Sequence, residues 1–116
     1  MKKKFLLLIT VLITSCELVF VKDISKREVE LLAPANKAEV LSGIVNFNWN
    51  LVSDAEQYIL QIATPAFVNP NQMVLDTGIT SNNFKWELPT GKYEWRVKAM
   101  NSGFKTAYTT STFTIN

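Results

Sequence analysis

The chain contains one thiol, Cys16, and no imidazole at all. Those two facts bound its chemistry. A structural zinc site draws its ligands from several cysteines and histidines, and one cysteine cannot supply them. General acid–base catalysis loses its commonest residue. No disulfide can close within the chain, so stability has to come from a packed core. The remaining acid–base groups are carboxylates, with Asp54 near Glu56 and Glu87 near Glu94 in sequence. Two carboxylates act together only when they face each other across a cleft at a set separation. A chain of 116 residues with four glycines and no glycine-rich phosphate loop offers little from which to build one. Enzyme activity, a cofactor and a metal site are therefore not expected.

What surrounds Cys16 is more informative. Lys2, Lys3 and Lys4 form a positive start, and Phe5 to Ile13 form a short apolar run. That run falls well below the roughly 20 residues that cross a bilayer, and it has the charge bias of a secretory signal. The stretch Ile13-Thr14-Ser15-Cys16 resembles the lipobox of bacterial lipoproteins, in which a branched aliphatic residue and two small residues precede a cysteine. The resemblance implies a diacylglyceryl group on the Cys16 sulfur and cleavage between Ser15 and Cys16. Two other readings compete. Cys16 would have no internal disulfide partner as an ordinary thiol of an exported protein. An uncleaved helix from Phe5 to Val21 would have to carry Glu17 in hydrocarbon, at high cost.

Cleavage also changes the charge. The full chain is +2, but loss of the three lysines leaves nine Lys and Arg against ten Asp and Glu. The mature part is then near neutral, and no basic stripe points to nucleic acid. Residues 1–15 read as signal peptide, 16–28 as a lipidated tether and 29–116 as one domain.

The domain alternates with period two, the mark of half-buried strands. Val45, Phe47 and Trp49 alternate with Asn46, Asn48 and Asn50, and Tyr58, Leu60 and Ile62 with Gln57 and Gln61. Met73 to Asp76 reads as a short strand ended by a Thr77-Gly78 turn. Phe84, Trp86 and Leu88 alternate next, followed by the Pro89-Thr90-Gly91 turn. Tyr93, Trp95, Val97 and Ala99 form the longest series, and a Thr-rich stretch from Thr106 to Ile115 closes the chain. No window supports a long amphipathic helix. About seven short strands separated by regular turns predict an all-β sandwich.

These residues resemble a fibronectin type III domain over about Leu31 to Ile115. The match is carried by Val45-Asn46-Phe47-Asn48-Trp49, by Asp54 through Ile62, and by Leu88-Pro89-Thr90-Gly91-Lys92-Tyr93-Glu94-Trp95-Arg96-Val97-Lys98-Ala99. The resemblance implies a seven-stranded fibronectin type III or immunoglobulin-like β-sandwich, with Trp49 and Tyr58 in the core and Leu88 and Tyr93 forming a corner. No Arg-Gly-Asp triplet stands in the last loop, so integrin-type adhesion does not carry over. A lipobox followed directly by such a domain is also similar, more loosely, to small outer-membrane lipoproteins of Bacteroidetes-type bacteria.

A fold of this kind carries no chemistry of its own, so surface features must speak for function. Trp49, Trp86 and Trp95 could form a sugar-stacking platform, but all three fall on the inward phase, with Trp86 least certain. Gln57, Ile59, Gln61, Glu94, Arg96 and Lys98 form an outer face that reads as solvated. Phe67, on the proline-containing loop Thr64 to Gln72, is the contact residue expected from sequence, because loops carry much of binding; the other reading is that it folds back onto the sandwich. The Thr-rich last strand is expected to be a free edge able to recruit a partner strand. The expected function is a lipid-anchored, non-catalytic binding or spacer module at a bacterial envelope. Its partners would be the membrane, through acyl chains on Cys16, and an envelope protein or glycan. The alternative is a carbohydrate-binding accessory lipoprotein working with a transporter or hydrolase.

The Cys16 assignment predicts a defined mass. Mass spectrometry of the membrane fraction should find acylated Cys16 as the mature N-terminus. A Cys16→Ser protein that stays membrane-bound with Met1 to Ser15 intact would identify a helical anchor instead.

Overall fold

The alternating series Tyr93, Trp95, Val97 and Ala99 becomes the longest strand, with all four side chains buried and their neighbours half-exposed. The computed structural model describes residues 20–116, and Cys16 with the signal segment lies outside them. Eight strands occur among the described residues: β1 (Leu31–Ala33), β2 (Ala38–Val40), β3 (Gly43–Trp49), β4 (Gln57–Thr64), β5 (Gln72–Ile79), β6 (Asn83–Leu88), β7 (Gly91–Met100) and β8 (Thr109–Ile115). They form two sheets, one ordered β1-β3-β6 and the other β2-β8-β7-β4-β5. All pairings are antiparallel except β2 with β8.

Between the sheets lies one core. Trp49, Trp95, Tyr58, Phe47 and Phe113 are its largest members, joined by Leu60, Ile62, Leu88, Tyr93, Val97 and Ile115. Phe47 and Trp95 meet edge-on at 5.1 Å and 67°, as do Trp49 and Tyr58 at 5.6 Å and 62°, whereas Tyr93 stacks on Phe113 at 5.4 Å and 16°. Edge-to-face pairs set the positive ring edge on the negative face. At about 150–250 Å² per ring and about 25 cal/mol per Å², each fully buried tryptophan contributes about 4–6 kcal/mol as an upper bound. Trp95 Nε1 donates to the Pro34 carbonyl at 3.3 Å, whereas Trp49 Nε1 is buried without a partner. An unpaired buried donor costs about 1–3 kcal/mol, which the packing of Trp49 outweighs.

Two corners follow the same logic of satisfying buried polar groups. Tyr93 Oη donates to the Pro89 carbonyl at 2.7 Å, pinning the β6–β7 turn and giving the expected corner with Leu88 its physical form. Tyr58 Oη accepts from Val52 N at 2.8 Å and holds the β3–β4 loop.

Four features depart from the sequence expectation. First, β2 was not foreseen. It has three residues, too few for periodicity to show, and pairs parallel with Phe113 to Ile115. Second, Thr77-Gly78 is not a turn but the interior of β5, with Gly78 opposite Ile59. A Cβ on Gly78 would lie 3.7 Å from Ile59 Cδ1, an ordinary van der Waals contact, so the strand would also accept a side chain there. Third, β8 is not the free edge. The Asn36 side chain accepts from Thr112 N at 3.0 Å, Lys37 N donates to Thr112 O at 2.7 Å, and β2 covers the remainder. The outermost strand on the far side of that sheet is β5. Fourth, packing begins before residue 29. Ile24 is fully buried in the core, an Asp23–Ser25 side-chain turn leads into it, and Arg27 reaches Asp54 at 3.0 Å and the Ser53 carbonyl.

Burial of the Tyr93 phenol disfavours its ionised form and raises its pKa above the ordinary value. The folded state then holds this proton more tightly than the unfolded one. The resulting stability is fully present below about pH 10, where the unfolded phenol titrates, and is lost as pH climbs through the raised folded value. Tyr93→Phe should cost about 1 kcal/mol at neutral pH for the lost hydrogen bond. It should also flatten the alkaline fall in stability, measured by urea denaturation between pH 8 and pH 11.

Candidate functional site

The outer face of the five-stranded sheet is where loop, charge and aromatic residues converge. Period-two geometry points Gln61 on β4, and Glu94, Arg96 and Lys98 on β7, away from the core. The register sets Gln61 beside Arg96 and Ile59 beside Lys98. Arg96 Nε donates to Gln61 Oε1 at 2.8 Å, which fixes the guanidinium plane. Its Cζ lies 4.0 Å from the Phe67 ring centroid and 4.3 Å from that of Tyr108. Lys98 Nζ lies 4.8 Å from the same Tyr108 ring. A cation over an aromatic face is attracted by the ring quadrupole, more so when partly desolvated.

Phe67 is therefore not a free aromatic at a loop tip. It is half-buried, and its backbone N–H donates to Glu94 Oε1 at 3.0 Å. The long β4–β5 loop folds back over the sheet, anchored by one aromatic ring and one carboxylate. Its exposed point is the next residue, Val68, at 80% exposure. Tyr108 was not singled out from sequence. It shares the outward phase of Thr110, Thr112 and Thr114 and is the only large side chain on it, which is the signal that would have found it.

A second aromatic feature sits at the side of the sandwich. Trp49 and Trp95 are core residues, but Trp86 is 41% exposed. It keeps the inward phase, since it pairs with Val45 across the ladder. However, β6 is the last strand of its sheet, and the ring emerges at the open side between the two layers. There it stacks on Phe84 at 5.7 Å and 22°. The alternation identified the face correctly, but exposure depended on the strand's place in the sheet.

The carboxylates do not converge. Glu87 points outward from the three-stranded sheet and Glu94 outward from the five-stranded one, on opposite outsides of the sandwich. Glu94 is occupied by the loop, and Asp54 is paired with Arg27. No cluster of three metal-ligating side chains occurs among the described residues.

No family model matches the chain, and no curated protein matches it. Among solved structures it is similar to the fibronectin(III)-like modules of Clostridium thermocellum CbhA, with a TM-score of 0.54 and 12% identity over 76% of this chain and 95% of that one. It is also similar to the structure described as FN3tt mut, with a TM-score of 0.50 and 14% identity over 76% of this chain and 89% of the other. Both chains are matched over nearly their whole length, so the likeness is to an entire module. At such identity it establishes the fold, a fibronectin type III-like β-sandwich.

Arg96 should be what keeps the β4–β5 loop down. Arg96→Ala is expected to lower stability by about 1–2 kcal/mol for the loss of two cation–π contacts. It should also speed proteolytic cleavage within Pro65 to Asn71, read by limited digestion followed by mass spectrometry.

Proposed function

We propose that the protein is a lipid-anchored, non-catalytic binding or spacer module at a bacterial envelope, held by acyl chains on Cys16 and contacting another envelope protein. The observation that carries this reading is the lipobox-like sequence ending at Cys16, a few residues ahead of a fibronectin type III-like sandwich. Such modules are commonly binding or spacing units. The disposition of polar groups supports it. Glu94, Asp54 and Arg96, the residues best placed to do chemistry, are engaged in holding loops. The surface offered to a partner is the β4–β5 loop, with Phe67 as its anchor and Val68 as its exposed tip. Loops at the ends of a sandwich are where this architecture carries recognition.

A second reading has its own observation. The Phe84–Trp86 stack presents aromatic surface beside a sheet edge, and a carbohydrate-binding accessory role would use such a surface.

One experiment separates the two. A photo-crosslinking residue at Val68 in the native envelope should give discrete protein adducts, while Trp86→Ala should leave glycan retention on affinity columns unchanged. Absence of adducts at Val68, with glycan retention that Trp86→Ala abolishes, would replace the protein-contact reading with the carbohydrate one. Turnover of a glycan or peptide substrate by the purified domain would overturn both.

A further inference from the structure

The end of the sandwich that carries the β3–β4 and β7–β8 loops is also where the chain enters. Asn101 Nδ2 donates to the Lys22 carbonyl at 2.8 Å and to the Asp54 carbonyl at 3.3 Å. Val21 lies against Gly103, where an added Cβ would stand 3.4 Å from Val21 Cγ1. Ile24 is in the core. The polypeptide is thus fastened to the body from about Lys22 onward. Only five residues lie between Cys16 and Lys22, and the six residue-to-residue steps reach at most about 22 Å when fully extended.

That same end exposes apolar side chains. Phe20 is 82% exposed, Leu51 68% and Phe104 37%. Phe20 and Val21 border a depression of about 270 Å³ with Asn101 and Ser102, next to the turn that bears Phe104. The charges around them come to a net −1, with Lys22, Lys26, Arg27 and Lys105 against Asp23, Glu28, Glu30, Asp54 and Glu56. Contact at this end would be governed by apolar burial and would not select anionic lipid.

We propose that Phe20, Val21 and Phe104 insert into the lipid interface, so that the β3–β4 and β7–β8 loop end of the sandwich is seated on the bilayer to which Cys16 is anchored. The inference rests on the reading of Cys16 as a lipid anchor. The short link is what makes weak insertion effective. A contact made by a few side chains is marginal for a free protein, but a short tether converts it into an intramolecular event at high effective concentration. Aromatic and aliphatic side chains at the headgroup boundary then add their burial to that of the acyl chains. Seating this end directs the Val68 loop, at the opposite end, away from the membrane.

The test uses the full-length protein, processed and purified from its native envelope and reconstituted in neutral phosphatidylcholine vesicles containing brominated lipid. Acylation consumes the Cys16 thiol, so Ser102→Cys and Val68→Cys each carry a single fluorescent label. The Ser102 label should be quenched about five-fold more than the Val68 label, because interfacial burial extends only about 5–10 Å into the bilayer. Phe20→Ser combined with Phe104→Ser should abolish that difference without changing the melting temperature. Equal quenching at the two positions overturns the proposal, as does a Ser102 signal indifferent to the double substitution. The fate of the anchor is read separately in the same samples. Acylated Cys16 with an unquenched Ser102 label refutes the seating alone. A second label on Cys16 refutes the anchor, and the Ser102 quenching of that protein mixed with vesicles then decides the seating by itself.

Discussion

Every other feature depends on the aromatic layer between the two sheets. Trp49 comes from the narrow sheet and Trp95 from the wide one, and Phe47, Tyr58 and Phe113 close around them. A domain of this size with a single cysteine closes no internal disulfide and must obtain its stability largely from apolar burial. Five large rings in one layer supply it. The layer also fixes register, because a slip of one residue in any of these strands would turn a ring outward.

The polar groups around that layer are spent on holding loops rather than on chemistry. Tyr93 and Tyr58 use their hydroxyls on the β6–β7 turn and the β3–β4 loop. Asn101 ties the entering chain to the β7–β8 turn, Asn36 covers the edge of β8, and Glu94 with Arg96 holds the β4–β5 loop. A scaffold with rigid ends results. In such a scaffold, the loops at one end and the entering chain at the other are separated by the length of the strands, and each can serve a different contact.

The two lateral sides of the sandwich are unlike. On one, β2 and the Asn36 turn cover β8. On the other, β5 and β6 are both terminal strands, and Trp86 emerges beside them. Unpaired strand edges invite pairing unless blunted. The exposed indole stacked on Phe84 places bulky side chains beside that opening.

The sequence by itself determined the sandwich and the inward set Trp49, Tyr58, Leu88, Tyr93 and Val97, and its fibronectin-like pattern implied the corner of Leu88 and Tyr93. Period-two alternation is a local property, and six-to-ten-residue strands display it several times over. It also supplied the Cys16 motif, which lies outside the described residues. Tertiary structure alone decided the rest. A three-residue strand such as β2 is too short to show a period, and its partner is more than seventy residues away. Gly78 looked like a turn because glycine is a local turn signal, and its place in a strand opposite Ile59 exists only once β4 lies beside it. Sequence left Phe67 either exposed or folded back, because the guanidinium that holds it belongs to a strand far along the chain. Trp86 had the phase of a core residue, but exposure depends on what lies across the gap, and at the edge of a sheet nothing does. Alternation assigns a side chain to a face, and only the arrangement of all the strands decides whether that face is covered.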